Sequence, residues 1–230
     1  MAQSSRIRQA GPRDIDAVTA LFIKSLEDDE NWDYRFPFRH EYPEDNWRQQ
    51  KSYVEFMVDE ENDNFEVWIL EVETSEGSWQ AAALSIWDVS YVNKRLHGPS
   101  YVIKQMVRVE GRRDAKPIRS AAFIDCALRV RQSNNEAFGI NQLYLRILGT
   151  HPDYRRRGFG SRLLKWGVDR ATRDEVVICL MSTKSGYPLY IACGFKELES
   201  IRIQAEGEEV FVVMRRMVYI PEKEMVTSTS

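Results

Sequence analysis

The stretch from Leu143 to Gly160 constrains this chain more than any other: Leu-Tyr-Leu-Arg-Ile-Leu-Gly-Thr-His-Pro-Asp-Tyr-Arg-Arg-Arg-Gly-Phe-Gly. Leu143, Leu145 and Ile147 alternate with Tyr144, Arg146 and Leu148, which is the period of a β-strand. Pro152 marks a turn, and Phe159, Leu163, Trp166/Gly167 and Ala171 then recur at helical spacing. The order is strand, basic glycine-bearing loop, helix. Amides at a helix start lack partners within the helix, and the helix dipole is positive there. Gly158 and Gly160 let the backbone approach a bulky ligand, and Arg155, Arg156 and Arg157 add guanidinium forks suited to phosphate oxygens. The loop is expected to hold a pyrophosphate. The competing reading is a solvated basic loop or a nuclear-import patch.

The arginine run is a local feature, because the 230 residues carry a net charge of only -3. That balance argues against nucleic-acid binding. Cys126, Cys179 and Cys193 are odd in number and unclustered, and His40, His97 and His151 lack ligand spacing, so neither a disulfide framework nor a metal site is expected. No apolar run reaches the ~18 residues of a membrane span, and the first residues lack a signal-peptide core. The expectation is a cytoplasmic protein, with a nuclear location left open, no membrane partner, and a monomeric or homodimeric state.

Ahead of the central stretch, Arg6 to Ala10 reads as a strand. A helix follows from Pro12, with Ile15, Val18, Phe22 and Leu26 on one face. An acidic, aromatic segment runs from Glu27 to Trp47, and a second helix from Glu44 to Asp59 has Trp47, Val54 and Val58 on its buried face. Strands at 65–72 and 79–88 form a hairpin around Ser75-Glu76-Gly77-Ser78. Residues 89–138 read as an insertion containing a helix at 118–130, with too few large apolar residues for a separate core. After the helix at 159–173 come an apolar strand at 176–181, a short helix at 189–193 ended by Gly194, strands at 195–204 and 210–219, and a frayed tail at 221–230. One domain over residues 1–220 accounts for these elements.

The segment from Leu143 to Phe195 resembles the GNAT superfamily of acyl-CoA N-acyltransferases. Arg155-Arg156-Arg157-Gly158-Phe159-Gly160 is similar to the family's Gln/Arg-x-x-Gly-x-Gly/Ala signature, and Gly186-x-x-x-Tyr190-x-x-x-Gly194-Phe195 is similar to its closing motif. The upstream order of strand, two helices and hairpin also matches. The Phe-Pro-Phe-Arg and Tyr-Pro-Glu-Asp-Asn-Trp segments faintly resemble a filamentous-fungal subset. The resemblance implies an α/β (α+β) fold, with a mixed, mostly antiparallel sheet of about seven strands that splays between strands 4 and 5.

It also implies acetyl-CoA as co-substrate and an amine as acceptor. Pantetheine would pair with backbone groups of Leu148 and Thr150 beside Gly149. The pyrophosphate would sit on the amides from Arg156 to Ser161, with Arg155, Arg156, Arg157, Gly158, Phe159 and Gly160 around it and Ser185 as a further contact. The Leu148 N–H would donate to the developing oxyanion, and Tyr190 would donate to the CoA sulfur. Some members carry a glutamate on the fourth strand as base. Here that strand shows Tyr144 and Arg146 instead, leaving Asp88, Asp125 or a water chain to take the proton. Asp28, Asp29 and Glu30 beside Trp32 and Tyr34 would suit a cationic acceptor. The implied activity is acetylation of a primary amine on a small molecule by direct attack. The alternatives are a protein lysine or N-terminus as acceptor, or a sensor that binds acyl-CoA without turnover.

Overall fold

Seven strands form one sheet, with helices on both faces. The computed structural model describes residues 4–98, 100–102, 106 and 110–222. In chain order the elements are β1 (Ser5–Gln9), α1 (Ile15–Ser25), α2 (Glu30–Arg35), α3 (Pro43–Val58), β2 (Phe65–Glu73), β3 (Trp79–Asp88), α4 (Tyr91–His97), α5 (Pro117–Phe138), β4 (Gln142–Thr150), α6 (Phe159–Asp174), β5 (Val177–Ser182), α7 (Tyr187–Ala192), β6 (Lys196–Gln204) and β7 (Phe211–Tyr219). The strand order is β1-β2-β3-β4-β5-β7-β6, and every neighbouring pair is antiparallel except β4 and β5. The expected tail lies, from residue 223 onward, outside the described residues.

The central strands are buried on both faces. In β2, Val67 and Ile69 pack with Phe22, Val54 and Met57 of α1 and α3, whereas Leu70 packs with Leu163 of α6. Trp68, on the α6 face, stacks on Trp166 at a centroid distance of 4.8 Å. Helix α6 approaches so closely that a Cβ at Gly167 would fall 2.1 Å from Trp87 Cη2.

Two expectations about local structure change. Trp47 does not lie on the buried face of α3: it is exposed, while Asn46, Gln50, Val54 and Met57 are buried. Gln50 Nε2 donates to Asn46 Oδ1 at 3.1 Å, so these polar side chains satisfy one another and can occupy the core side. The helix expected at 118–130 continues to Phe138, where Gly139 adopts a left-handed φ of 77°. Its polar last turns are held because Asn134 Oδ1, fully buried, accepts from Arg216 Nε at 2.7 Å. Ala122, Cys126 and Val130 of α5 pack on Ile203, Val212 and Met214 of β6 and β7. The described apolar side chains of α5 thus join the sheet's core.

A bulge alters the face pattern of β4. Ile86 pairs with Ile147 and Trp87 with Leu145, leaving Arg146 unopposed. Ile147 then falls on the α1/α3 face and Leu148 on the α6 face. The simple alternation expected through Leu148 therefore breaks at Arg146, and Arg146 and Ile147 share a face.

Candidate active site

Strand β4 pairs with β5 only from Gln142–Val177 to Leu145–Leu180. Beyond that the two strands separate. His151 N–H donates to Ala82 C=O at 2.9 Å, which makes His151–Ala82 a hydrogen-bonded pair. Antiparallel pairs alternate, so Thr150 opposite Ala83 and Leu148 opposite Ser85 direct their backbone groups away from β3, into the gap toward β5. On its other side the strand is fixed by α1: a Cβ at Gly149 would lie 2.2 Å from Ser25 Oγ.

The gap runs into the loop before α6. Arg156 and Gly158 both take left-handed φ values, 63° and 78°. The first backbone bond of α6 is Arg162 N–H to Gly158 C=O, at 3.1 Å. The amides of Phe159, Gly160 and Ser161 precede it and have no intrahelical acceptor, so they form an anion-binding end. A Cβ at Gly158 would meet nothing within 4 Å, so glycine is favoured there by φ and not by crowding.

The three arginines of the loop have separate fates. Arg155 donates to both carboxylate oxygens of Asp28, at 2.6 and 2.7 Å, and to Ser25 C=O at 3.1 Å. It clasps the α1–α2 loop to the anion loop and is not free to serve as a phosphate fork. Arg156 lines the cavity. Arg157 turns onto the Tyr154 ring, at 5.1 Å, and donates to Asp153 C=O at 3.0 Å. Phe159 presents only its backbone, because its side chain is buried with Leu163.

Tyr190 is buried against Phe195 and also lines the cavity. Desolvation, then the nearby Asp29 carboxylate, raise its hydroxyl well above the usual phenol range. Ser185 lines the cavity too and shares a hydrogen bond with Thr183, at 3.0 Å. Burial raises the Cys193 thiol, the opposite of what a nucleophilic cysteine needs.

The residues expected at the acceptor side divide. Glu30 accepts from Lys184 N–H at 2.9 Å and joins α2 to the β5–α7 loop. The Tyr34 hydroxyl accepts from Ala205 N–H at 2.9 Å, and its ring is buried with the α5 and β6–β7 cluster, away from the cavity. Asp125 is exposed and does not line the cavity. Asp28 is spent on Arg155. Asp29 and Trp32 do line the cavity. Asp29 caps α2, accepting from the Asn31 and Trp32 amides at 3.1 Å each. Burial nonetheless raises its carboxyl above the ordinary aspartate value, outweighing those backbone bonds and a hydrogen bond from Thr183. Asp88 is buried, accepts from Ser90 N–H at 3.0 Å and is 3.2 Å from Arg131.

Gap, loop and acceptor space form one cavity of about 1560 Å³. Its inner half is walled by Tyr53 and Phe56 of α3, Tyr144 and Arg146 of β4, and Phe123 and Arg131 of α5. Sequence reasoning missed Tyr53, Phe123 and Arg131 and noted Arg146 only for not being a carboxylate. The signal available in advance was a charged residue in the middle of an otherwise apolar strand.

The family model of the acetyltransferase (GNAT) domain matches residues 118–197, which include the anion loop and Tyr190. An acetyltransferase of Stachybotrys chartarum is 22% identical over 216 residues, covering 93% of this chain and 90% of that one. Among solved structures, a polyamine N-acetyltransferase of Drosophila melanogaster aligns with a TM-score of 0.62 at 12% identity, over 94% of this chain and 100% of that one. YncA of Salmonella typhimurium, solved with its cofactor acetyl-CoA, aligns with a TM-score of 0.55 at 12% identity, over 98% of this chain and 99% of that one. The sheet order, the splay after Leu145 and the glycine loop opening α6 belong to the fold that these structures share. The match to the GNAT acetyltransferase domain covers 118–197, about a third of the chain, and the solved structures share the fold.

Proposed function

We propose that the protein transfers an acetyl group from acetyl-CoA to the primary amine of a small molecule. The observation that carries this reading is the continuity of one cavity: the backbone of Leu148 and Thr150 turned away from β3, the amides before Arg162 that lack an intrahelical acceptor and the Tyr190 side chain all border it, although the Thr150 C=O also accepts from Arg155 Nε at 3.3 Å. Pantetheine would occupy the gap as a missing strand, with Gly149 between its two pairing residues. The pyrophosphate would sit on the amides of Arg156 to Ser161, with Arg156 as the side-chain fork and Ser185 at the edge.

The amine nitrogen would attack the thioester carbonyl carbon as the C–S bond breaks. The Leu148 N–H would donate to the developing oxyanion. Tyr190 holds its proton at neutral pH, and full transfer to a thiolate, with an ordinary thiol pKa of about 8.5, runs uphill. Its contribution is therefore a hydrogen bond donated to the sulfur as charge builds, while the proton lost by the amine neutralises the leaving thiolate. Asp29, with its raised carboxyl in the cavity wall, would relay that proton. A small acceptor is favoured because α3 and α5 wall the inner half of the cavity.

Tyr190→Phe tests the assignment. Loss of one hydrogen bond to a charged group predicts a drop in kcat of roughly 10- to 100-fold with acetyl-CoA affinity nearly unchanged. Equal kcat in the two proteins would reduce Tyr190 to a packing residue.

A further inference from the structure

The inner half of the cavity is electropositive, although the loop expected to recognise the acceptor is acidic. Lys94, Arg131 and Arg146 face this space with Asp88 as their carboxylate neighbour. Asp88 is already engaged by Ser90 N–H and Arg131. Arg146 stands 4.0 Å from Asp88, too far for a hydrogen bond. Among the described residues its hydrogen bond is Nε to the Tyr53 hydroxyl, at 3.3 Å. Its guanidinium also lies 5.6 Å from the Phe65 ring centre. Most of its five N–H donors therefore have no acceptor among the described residues. Its side chain keeps 39% of its surface accessible while protein surrounds it, because that surface faces the cavity.

The position is set by the fold. Arg146 is the extra residue of the β4 bulge, two residues before Leu148 on the strand that borders the splay. The bulge turns it onto the same face as Ile147, toward α3 and Tyr53. Around it, Tyr53, Phe56, Phe65, Phe123 and Tyr144 make an aromatic wall. A guanidinium fork with spare donors, beside aromatic surface and an excess of cations, repels a polyamine and suits a carboxylate.

We propose that the acceptor is an amino acid with a large apolar or aromatic side chain, its carboxylate received by Arg146 and its amino group directed at the thioester beside Leu148. The inference rests on the acetyl-transfer reading above and names its substrate class. It also accounts for the absence of a carboxylate on β4. A positive surrounding disfavours the ammonium form, so the bound amine is more readily neutral and able to attack.

The test compares L-phenylalanine, 2-phenylethylamine, which has the same body without the carboxylate, and spermidine. It uses the full chain, with Arg146→Ala and Arg146→Lys as variants. Turnover is read as CoA release; binding of each amine in the presence of CoA is read by calorimetry. The expected wild-type result is a kcat/KM for phenylalanine at least roughly 10-fold above that for phenylethylamine, given the strength of a charged hydrogen bond. Arg146→Ala should erase that preference by lowering phenylalanine alone, and Arg146→Lys should restore part of it, since lysine keeps the charge but not the fork. Unchanged acetyl-CoA affinity shows that the variants are folded. If phenylethylamine or spermidine is acetylated as well as phenylalanine, or if Arg146→Ala lowers all amines equally, the inference is overturned and acetyl transfer stands. Phenylalanine binding that depends on Arg146, with no amine turned over, would uphold the carboxylate site and overturn the transfer reading. Absence of both binding and turnover of phenylalanine and a like set of leucine, tryptophan and methionine overturns the inference.

Discussion

Alanine at Gly149 tests how far the open gap depends on the close approach of α1 to β4. The added Cβ would lie 2.2 Å from Ser25 Oγ and 2.8 Å from Ser25 Cβ. Ordinary contacts between carbon atoms are about 3.5–4.0 Å, so helix and strand would have to part by roughly 1 Å. Ser25 does not easily swing aside, because it is buried and its Oγ donates to Phe22 C=O at 3.0 Å. Overpacking of this kind costs about 1–3 kcal/mol, more than the ~0.5–1 kcal/mol that alanine gains over glycine in a strand. The net cost is about 1.2 kcal/mol at the midpoints of these ranges, and at about 2–4 °C per kcal/mol for a chain of this size the melting temperature should fall by roughly 2–5 °C. Ser25→Gly removes both offending atoms and leaves Leu84 Cδ2, at 3.5 Å, as the nearest neighbour. Ser25 ends α1, so glycine there should cost less than the ~1 kcal/mol of a helix interior. The double variant should therefore melt well above the sum of the two single effects. Thermal unfolding of the four proteins, followed by circular dichroism, measures this coupling. An unchanged melting temperature in Gly149→Ala, or strictly additive losses in the double variant, would refute the steric argument.

Two further outcomes are expected. Gly160→Val should weaken acetyl-CoA binding at least roughly 10-fold, about 1.4 kcal/mol, while changing the melting temperature by only a few degrees. A Cβ there meets Leu189 Cδ2 at an acceptable 3.4 Å, so the fold itself has room for it and the loss falls on the proposed cofactor; calorimetry and a thermal melt separate the two effects. Asp29→Asn should keep the cap on α2, since asparagine accepts the same amide bonds, while removing a carboxylate whose folded pKa is raised. A raised folded pKa gives stability that is complete below the unfolded value near 3.9 and is lost as pH rises through the folded value. The variant should therefore be no less stable than the parent at pH 7 and show a flatter dependence of melting temperature on pH from about 4 to 7. If Asp29 relays the amine's proton, the acidic limb of kcat/KM should disappear as well.

Much of this architecture was legible from residue order alone. A strand period, a glycine pair after an arginine run and a helical stripe from Phe159 to Ala171 are local patterns, and local patterns decide strand, turn and helix. They also place the anion loop, because a helix start is an anion site wherever it occurs. The acceptor side depends on long-range packing, which residue order does not encode directly. Asp28 and Arg155 are 127 positions apart, yet they pair and cancel as ligand contacts. Glu30 and Tyr34 look like recognition residues in a one-dimensional reading, but their side chains accept the backbone N–H groups of Lys184 and Ala205. Arg146 looked like a missing base. Only the bulge against β3, which rotates it onto the Tyr53 face, brings it into the cavity wall, where we propose that it receives a carboxylate. The sequence by itself determined the strand end and the helix start to which we assign the donor, because both are local backbone features. The tertiary structure decided the charge of the cavity's inner half, because Lys94 of α4, Arg131 of α5, Asp88 of β3 and Arg146 of β4 are balanced or left over only once those elements meet.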